Sequence, residues 1–205
     1  LQTVAENVAD KVDRNLFERY GDVQAFGYNN ATLDAARWYR PDTAPGTLGA
    51  RMNQYVRAYG MYALTVLTDT AGRVAAVNSV GPDGTPAATA GFYGRRLADA
   101  SWFQACRAGA FTRRTPFTAP GNDVADGTVI SALHADPLVA EAYPGGEALT
   151  IGFTAPVADA GGRVVGCWHN AARFSAVEAI VATAYQELRA KGFPGATLTL
   201  LDSAG

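Results

Sequence analysis

The sequence predicts an α+β fold, an antiparallel sheet built of hairpins and flanked by a long N-terminal helix and a C-terminal helix. Three observations carry that expectation. The tetrapeptide Asp-x-x-Gly closes an apolar, β-prone run three times, at residues 69–72, 159–162 and 202–205, and the first two copies continue directly into another such run. Asp can accept a bond from the backbone ahead of it and Gly supplies the positive φ, so each complete copy reads as strand, tight turn, strand. Val4, Val8, Val12, Leu16, Tyr20, Val23 and Phe26 recur mostly four apart, the stripe of a long amphipathic helix. Val177, Ile180, Val181, Ala184, Tyr185 and Leu188 follow the same helical spacing behind Ser175-Ala-Val-Glu178, which has the form of a capping box.

Composition narrows the function classes. A chain of 205 residues suits one main domain with added helices better than two full domains. Charged residues make up 18% and hydrophobic ones 48%, which excludes disorder as the dominant state. The net charge is -2, and the basic doublets Arg95-Arg96 and Arg113-Arg114 stand apart, so nucleic acid is not an expected partner. No stretch approaches the ~18 uninterrupted apolar residues of a membrane span, and the start lacks the plan of a signal peptide. Cys106 and Cys167 match no metal spacing; in an oxidising compartment they could pair, but their distance is not legible. No H-E-x-x-H, G-x-S-x-G or phosphate-loop motif is present, so neither a metal nor a cofactor is expected.

Between the long helices the elements follow in order. Residues 1–27 form the first helix, whose stripe could cover its own sheet or seat a second copy in a homodimer. Residues 32–39 read as a short helix stopped by Arg40-Pro41, and residues 47–59 as another helix. The first hairpin occupies residues 62–79 and ends in Pro82-Asp83-Gly84. Residues 95–108 are helical or irregular and carry Trp102-Phe103; Pro116, Pro120, Gly121 and Asn122 then mark a loop. Residues 128–133 resume a strand, His134-Ala-Asp-Pro137 turns the chain into a short helix, and residues 149–170 hold the second hairpin. The helix at 175–192 ends in Gly192, Pro194 and Gly195, and 193–205 opens another strand or a second module continued beyond this chain.

The passages LFERYGDVQAFGYN, YALTVLTDTAGRVAAVN, GFYGRRLADASWFQACRAG and LTIGFTAPVADAGGRVVGCWHN, in this order, resemble the Cache sensor domains of bacterial methyl-accepting chemotaxis receptors. The resemblance covers nearly the whole chain. It implies a PAS-like antiparallel sheet, a sensor core at residues 28–174, and a membrane-distal position in a double Cache receptor. It also implies a periplasmic location, flanking transmembrane helices that this sequence does not contain, and signalling by helix displacement when a small molecule binds. Histidine kinases and diguanylate cyclases carry similar sensors, and a ligand-free ectodomain that binds a protein partner is a further alternative.

Family members that bind amino acids carry an Arg two residues before the Trp-aromatic pair; here that position is Ala100, so the bidentate cation for a carboxylate is missing. Trp102 is the expected apolar wall of a pocket, with Tyr93, Arg96, His134, Tyr143, Trp168 and Asn170 as the remaining candidates. A protonated His134, or Arg96, would replace the missing cation, and the expected ligand is a small carboxylate such as acetate. Trp168 and Asn170 share one strand face and Cys167 and His169 the other. A thiol-and-base reading of Cys167 and His169 meets the ~7 Å between same-face neighbours, too far for nucleophile activation, so no catalytic residue is assigned.

Overall fold

The structure is a computed structural model that describes residues 2–29, 32, 34–114 and 127–199. The chain divides into two compact units, one of Leu1–Glu18 with Phe174–Gly205 and the other of Arg19–Arg173.

In the first unit, the start of helix α1 (Gln2–Gly27) lies along the C-terminal helix, Ser175–Ala190. Val4 and Val8 are buried against Ala184 and Leu188, with Val12, Ile180 and Val181 at the margins, so this end of the stripe forms an intramolecular two-helix seam. Lys11 and Glu187 approach to 3.9 Å at its rim, an exposed pair that adds little. The expected capping box does not form. Phe174 is the N-cap residue, itself at helical φ -68 and ψ -25, and no side chain caps the helix. Strand passes into helix without an extended residue at 175, so Ser175 already lies inside the first turn. Gly192, at φ +85, ends the helix in the left-handed conformation that glycine adopts without steric cost. Beyond it, the strand expected from 197 is not formed over 197–199: the Tyr185 hydroxyl donates to the Leu198 carbonyl at 3.0 Å and accepts from its N–H at 2.8 Å. The rest of that segment, with the third Asp-x-x-Gly turn at Asp202, lies outside the described residues.

The second unit holds a fully antiparallel sheet. Its strands, among the described residues, are β1 (Tyr62–Asp69), β2 (Val74–Val77), β3 (Arg113–Arg114), β4 (Gly127–Ile130), β5 (His134–Ala135), β6 (Leu149–Ala158) and β7 (Val164–Arg173). Their order is β2-β1-β7-β6-β4-β3, with β5 added to β6. The two Asp-x-x-Gly turns are built alike. Asp69 Oδ1 accepts from the N–H groups of Ala71 and Arg73, and Asp159 Oδ1 from those of Gly161 and Arg163, while Gly72 and Gly162 sit at φ +76 and +79. The first and last hairpins meet at the centre of the sheet, from Tyr62 opposite Ala172 to Asp69 opposite Gly166. A Cβ at Gly166 would stand 2.0 Å from the Thr68 carbonyl oxygen, so this close crossing requires glycine.

Each sheet face has its own cover. Phe26, near the end of α1, stacks on Tyr55 of α2 (Leu48–Tyr59) at 4.1 Å, and both rings lie edge-on to Trp168. The opposite face carries Leu64, Val66, Val77 and Ala171, packed against Phe92 and against Leu138 and Val139 of α4 (Pro137–Ala142). There α3 (Ser101–Ala108) is tied to β7 by a Cys106–Cys167 disulfide with a Cα separation of 6.6 Å. Within the short helix expected at 32–39, Thr32 is helical and Ala35–Arg37 form a 3-10 turn, which Asp34 caps by accepting from the Ala36 N–H; Trp38 is extended, and residue 33 lies outside the described residues. The loop signals at Pro116, Pro120, Gly121 and Asn122 lie outside the described residues.

Candidate functional site

The period-2 alternation of β7 divides the candidate residues between the two faces. Trp168 and Asn170 point to the face covered by α1 and α2, fully buried. Trp168 Nε1 donates to Thr65 Oγ1 at 2.7 Å and to Asn170 Oδ1 at 2.9 Å, and Thr65 Oγ1 donates to the same amide oxygen at 2.7 Å. These contacts form a polar clasp between β1 and β7 in a buried layer, where hydrogen bonds hold a unique packing.

The other face brings Trp102 and His134 to one cluster. The Trp102 indole, from α3, stacks on the imidazole of His169 at 4.4 Å with planes 15° apart. His169 projects from β7 opposite Thr154 of β6, and its Nδ1 is 2.8 Å from Thr154 Oγ1. Beside it, a Cβ at Gly152 would stand 2.8 Å from His169 Cε1 and 2.7 Å from Ser131 Oγ, so glycine makes room for the ring against the sheet. Asp136 caps α4: its Oδ1 accepts from the N–H groups of Leu138 and Val139 at 2.7 and 3.2 Å. Its Oδ2 faces both imidazoles, 4.0 Å from His169 Nε2 and 3.9 Å from His134 Nε2.

Charge and proton positions follow from these contacts. His169 Nε2 is buried without a hydrogen-bond partner. Burial pushes the pKa of the ring down to about 4, Asp136 pulls it upward, and His134 adds to the depression, so His169 is neutral at pH 7. Since the Thr154 hydroxyl can donate or accept, Nε2 can present either a proton or a lone pair. His134 is 41% exposed, and its Nδ1 lies 2.9 Å from the Ala132 carbonyl oxygen, which can only accept. His134 Nδ1 is therefore a donor to that carbonyl, and Nε2 is the ring atom that faces Asp136. The buried Asp136 carboxylate thus faces two imidazole nitrogens, one of them on the ring that Trp102 covers, and lies too far from either to hydrogen-bond.

The remaining candidates lie elsewhere. Tyr143 is buried below this face, its hydroxyl donating to the Ala63 carbonyl at 2.9 Å. Tyr93 is half-buried beside Phe92, its hydroxyl 3.4 Å from the Val77 carbonyl. Arg96 is exposed beside the first hairpin turn, where its backbone bridges Arg73. Sequence reasoning passed over His169, Asp136 and Thr154 as contributors. The alternation that separates His169 from Trp168 was legible; which face lies under the helices was not. Cys167 is committed to the disulfide, which leaves no thiolate for a Cys167–His169 pair.

No protein-family model matches the chain, and no curated protein matches it in sequence. Solved structures do. The ligand-binding domain of Campylobacter jejuni chemoreceptor Tlp3 in complex with L-valine matches with a TM-score of 0.58 at 10% identity, over 88% of this chain and 61% of that one. The ligand-binding domain of Pseudomonas aeruginosa PAO1 amino acid chemoreceptor PctC, in complex with GABA, gives 0.53 at 15% identity, over 87% and 65%. The chain has the fold of Cache-type ligand-binding domains. The V. cholerae histidine kinase DctB sensor domain shares this fold, with a TM-score of 0.53 at 14% identity over 87% of this chain and 57% of that one. The chain spans about three fifths of the length of these domains.

Proposed function

We propose that this chain is the small-molecule-sensing part of an extracytoplasmic receptor domain, of a chemoreceptor in the first place and of a sensor kinase in the second, and that its ligand is held at Trp102, His134, Asp136 and His169. The carrying observation is the buried, unpartnered Nε2 of His169 facing the buried carboxylate of Asp136. Unpaired buried polar groups are costly, and a ligand that supplies their partners recovers that cost as affinity. Asp136 is the acid of the cluster and the buried His169 ring beside it is neutral, so the group that fits is a hydrogen-bond donor, best a protonated amine. The indole of Trp102 adds an apolar wall. The L-valine of Tlp3 and the GABA of PctC both contain an amine. The disulfide fits an oxidising compartment outside the cytoplasm. No helix among the described residues is long and apolar enough to cross a membrane, so attachment would rest on flanking segments. Ligand binding would reach the output through displacement of helices such as α1, the largest helix of the fold.

A small carboxylate such as acetate, the ligand expected from the sequence, would place a second anion beside Asp136 and would need His134 protonated. The two ligand classes separate in one experiment. Small primary amines, amino acids and acetate are titrated into the purified domain while its melting temperature is followed. The expected result is a rise with an amine-bearing compound and loss of about tenfold or more in affinity on Asp136→Asn, since Asn keeps the helix cap but removes the charge. A response to acetate alone, or amine binding indifferent to Asp136→Asn, overturns the reading.

A further inference from the structure

A groove lies at the end of β7, away from the Trp102 cluster. It opens between the loop after β2 and the loop after α4 and has a volume of about 490 Å³, within the size range of small-ligand pockets. Its floor is Tyr143 and its cation is Arg173, whose guanidinium carbon lies 5.5 Å from the centre of the Tyr143 ring. The ring is itself held by its hydroxyl bond to Ala63. Arg173 makes no salt bridge among the described residues, and its Nε is enclosed with no hydrogen-bond partner. A guanidinium held over an aromatic ring, with no carboxylate partner among the described residues, can take a ligand carboxylate through two parallel bonds.

Two acids, Asp83 and Glu147, line the same groove. Backbone and side-chain bonds from Thr85 hold the Asp83 carboxyl below its ordinary pKa, and Arg173 adds to that effect, so Asp83 is an anion at pH 7. Anion and cation in one small groove set the ligand class. A simple carboxylate would meet Arg173 but be repelled by both acids, and a simple amine would meet the acids but leave Arg173 unpaired. We propose that this groove binds a small zwitterion, with its carboxylate on Arg173 and its ammonium toward Asp83 and Glu147.

The test uses three probes of matched size, β-alanine, propionate and propylamine, on the whole chain carrying Asp136→Asn, which weakens binding at the Trp102 cluster. Calorimetric titration should show β-alanine binding about tenfold or more tighter than either single-charge probe. Arg173→Gln should abolish the β-alanine heat. Glu147→Gln and Asp83→Asn change exposed groups, and Asn at 83 can still accept from the Thr85 N–H. Both should weaken β-alanine while strengthening propionate, a reversal that simple loss of folding would not produce. Absence of β-alanine binding in the Asp136→Asn chain, equal binding of the three probes, or β-alanine affinity unmoved by all three groove variants overturns the proposal. Failure here leaves the Trp102 reading intact, because that reading is tested by the difference between the native chain and Asp136→Asn.

Discussion

At the scale of single residues, His169 shows how burial converts an ordinary side chain into a stability switch. The groups facing it are Trp102, Thr154, Asp136 and His134, and the cost of enclosing a charged ring exceeds the attraction of Asp136. With the folded pKa at about 4 and the unfolded one near its ordinary value, the unfolded chain binds the extra proton between those limits. This contribution to stability is full above the unfolded pKa and is lost as pH falls toward 4. Its size is on the order of 3 kcal/mol. Urea midpoints measured at steps from pH 7 to pH 4.5 should fall more steeply in the native chain than in His169→Gln. Parallel curves would remove His169 as the cause. As a ligand contact this histidine was not legible in the sequence, because nothing local distinguishes a ring under an indole from one under solvent.

At the scale of elements, the hairpins were legible because their turns are local: one carboxylate satisfies two backbone donors within four residues, and one glycine supplies the positive φ. The helix at 48–59 was legible for the same reason, with Thr47 as its cap. Local patterns misled where a neighbouring element intervened. Ser175-Ala-Val-Glu178 has the letters of a capping box, yet the strand before it runs straight into the helix and moves the cap to Phe174. The Cys106–Cys167 link is the non-local case, joining α3 to β7 across a sequence separation of 61. Closing a loop of that length is worth about 4 kcal/mol in the chain-entropy account. Reduction, or Cys106→Ser with Cys167→Ser, should lower the unfolding free energy by about that amount, read from urea curves with and without reductant. Coincident curves would show that the crosslink adds nothing to stability.

At the scale of the whole molecule, the long N-terminal helix has a different role from the open stripe its sequence presents. Val4 and Val8 are covered by Ala184 and Leu188 of the same chain, so the apolar seam available for a second copy is already closed at that end. Sedimentation velocity at micromolar concentration should therefore give the monomer mass of 21.5 kDa. A species of twice that mass would place a dimer contact on a surface other than this closed seam. By itself the sequence determined the α+β class, the two complete Asp-x-x-Gly hairpins and the two long helices, because each depends on spacing and turn chemistry within a few residues. Only the tertiary structure decided that β7 lies between β1 and β6, and hence that Trp168 and Asn170 face the helices while His169 meets Trp102, Thr154 and Asp136. Alternation along a strand divides its side chains into two sets. Which set meets solvent, ligand or core depends on what covers each face, and that is settled by contacts between residues far apart in the chain.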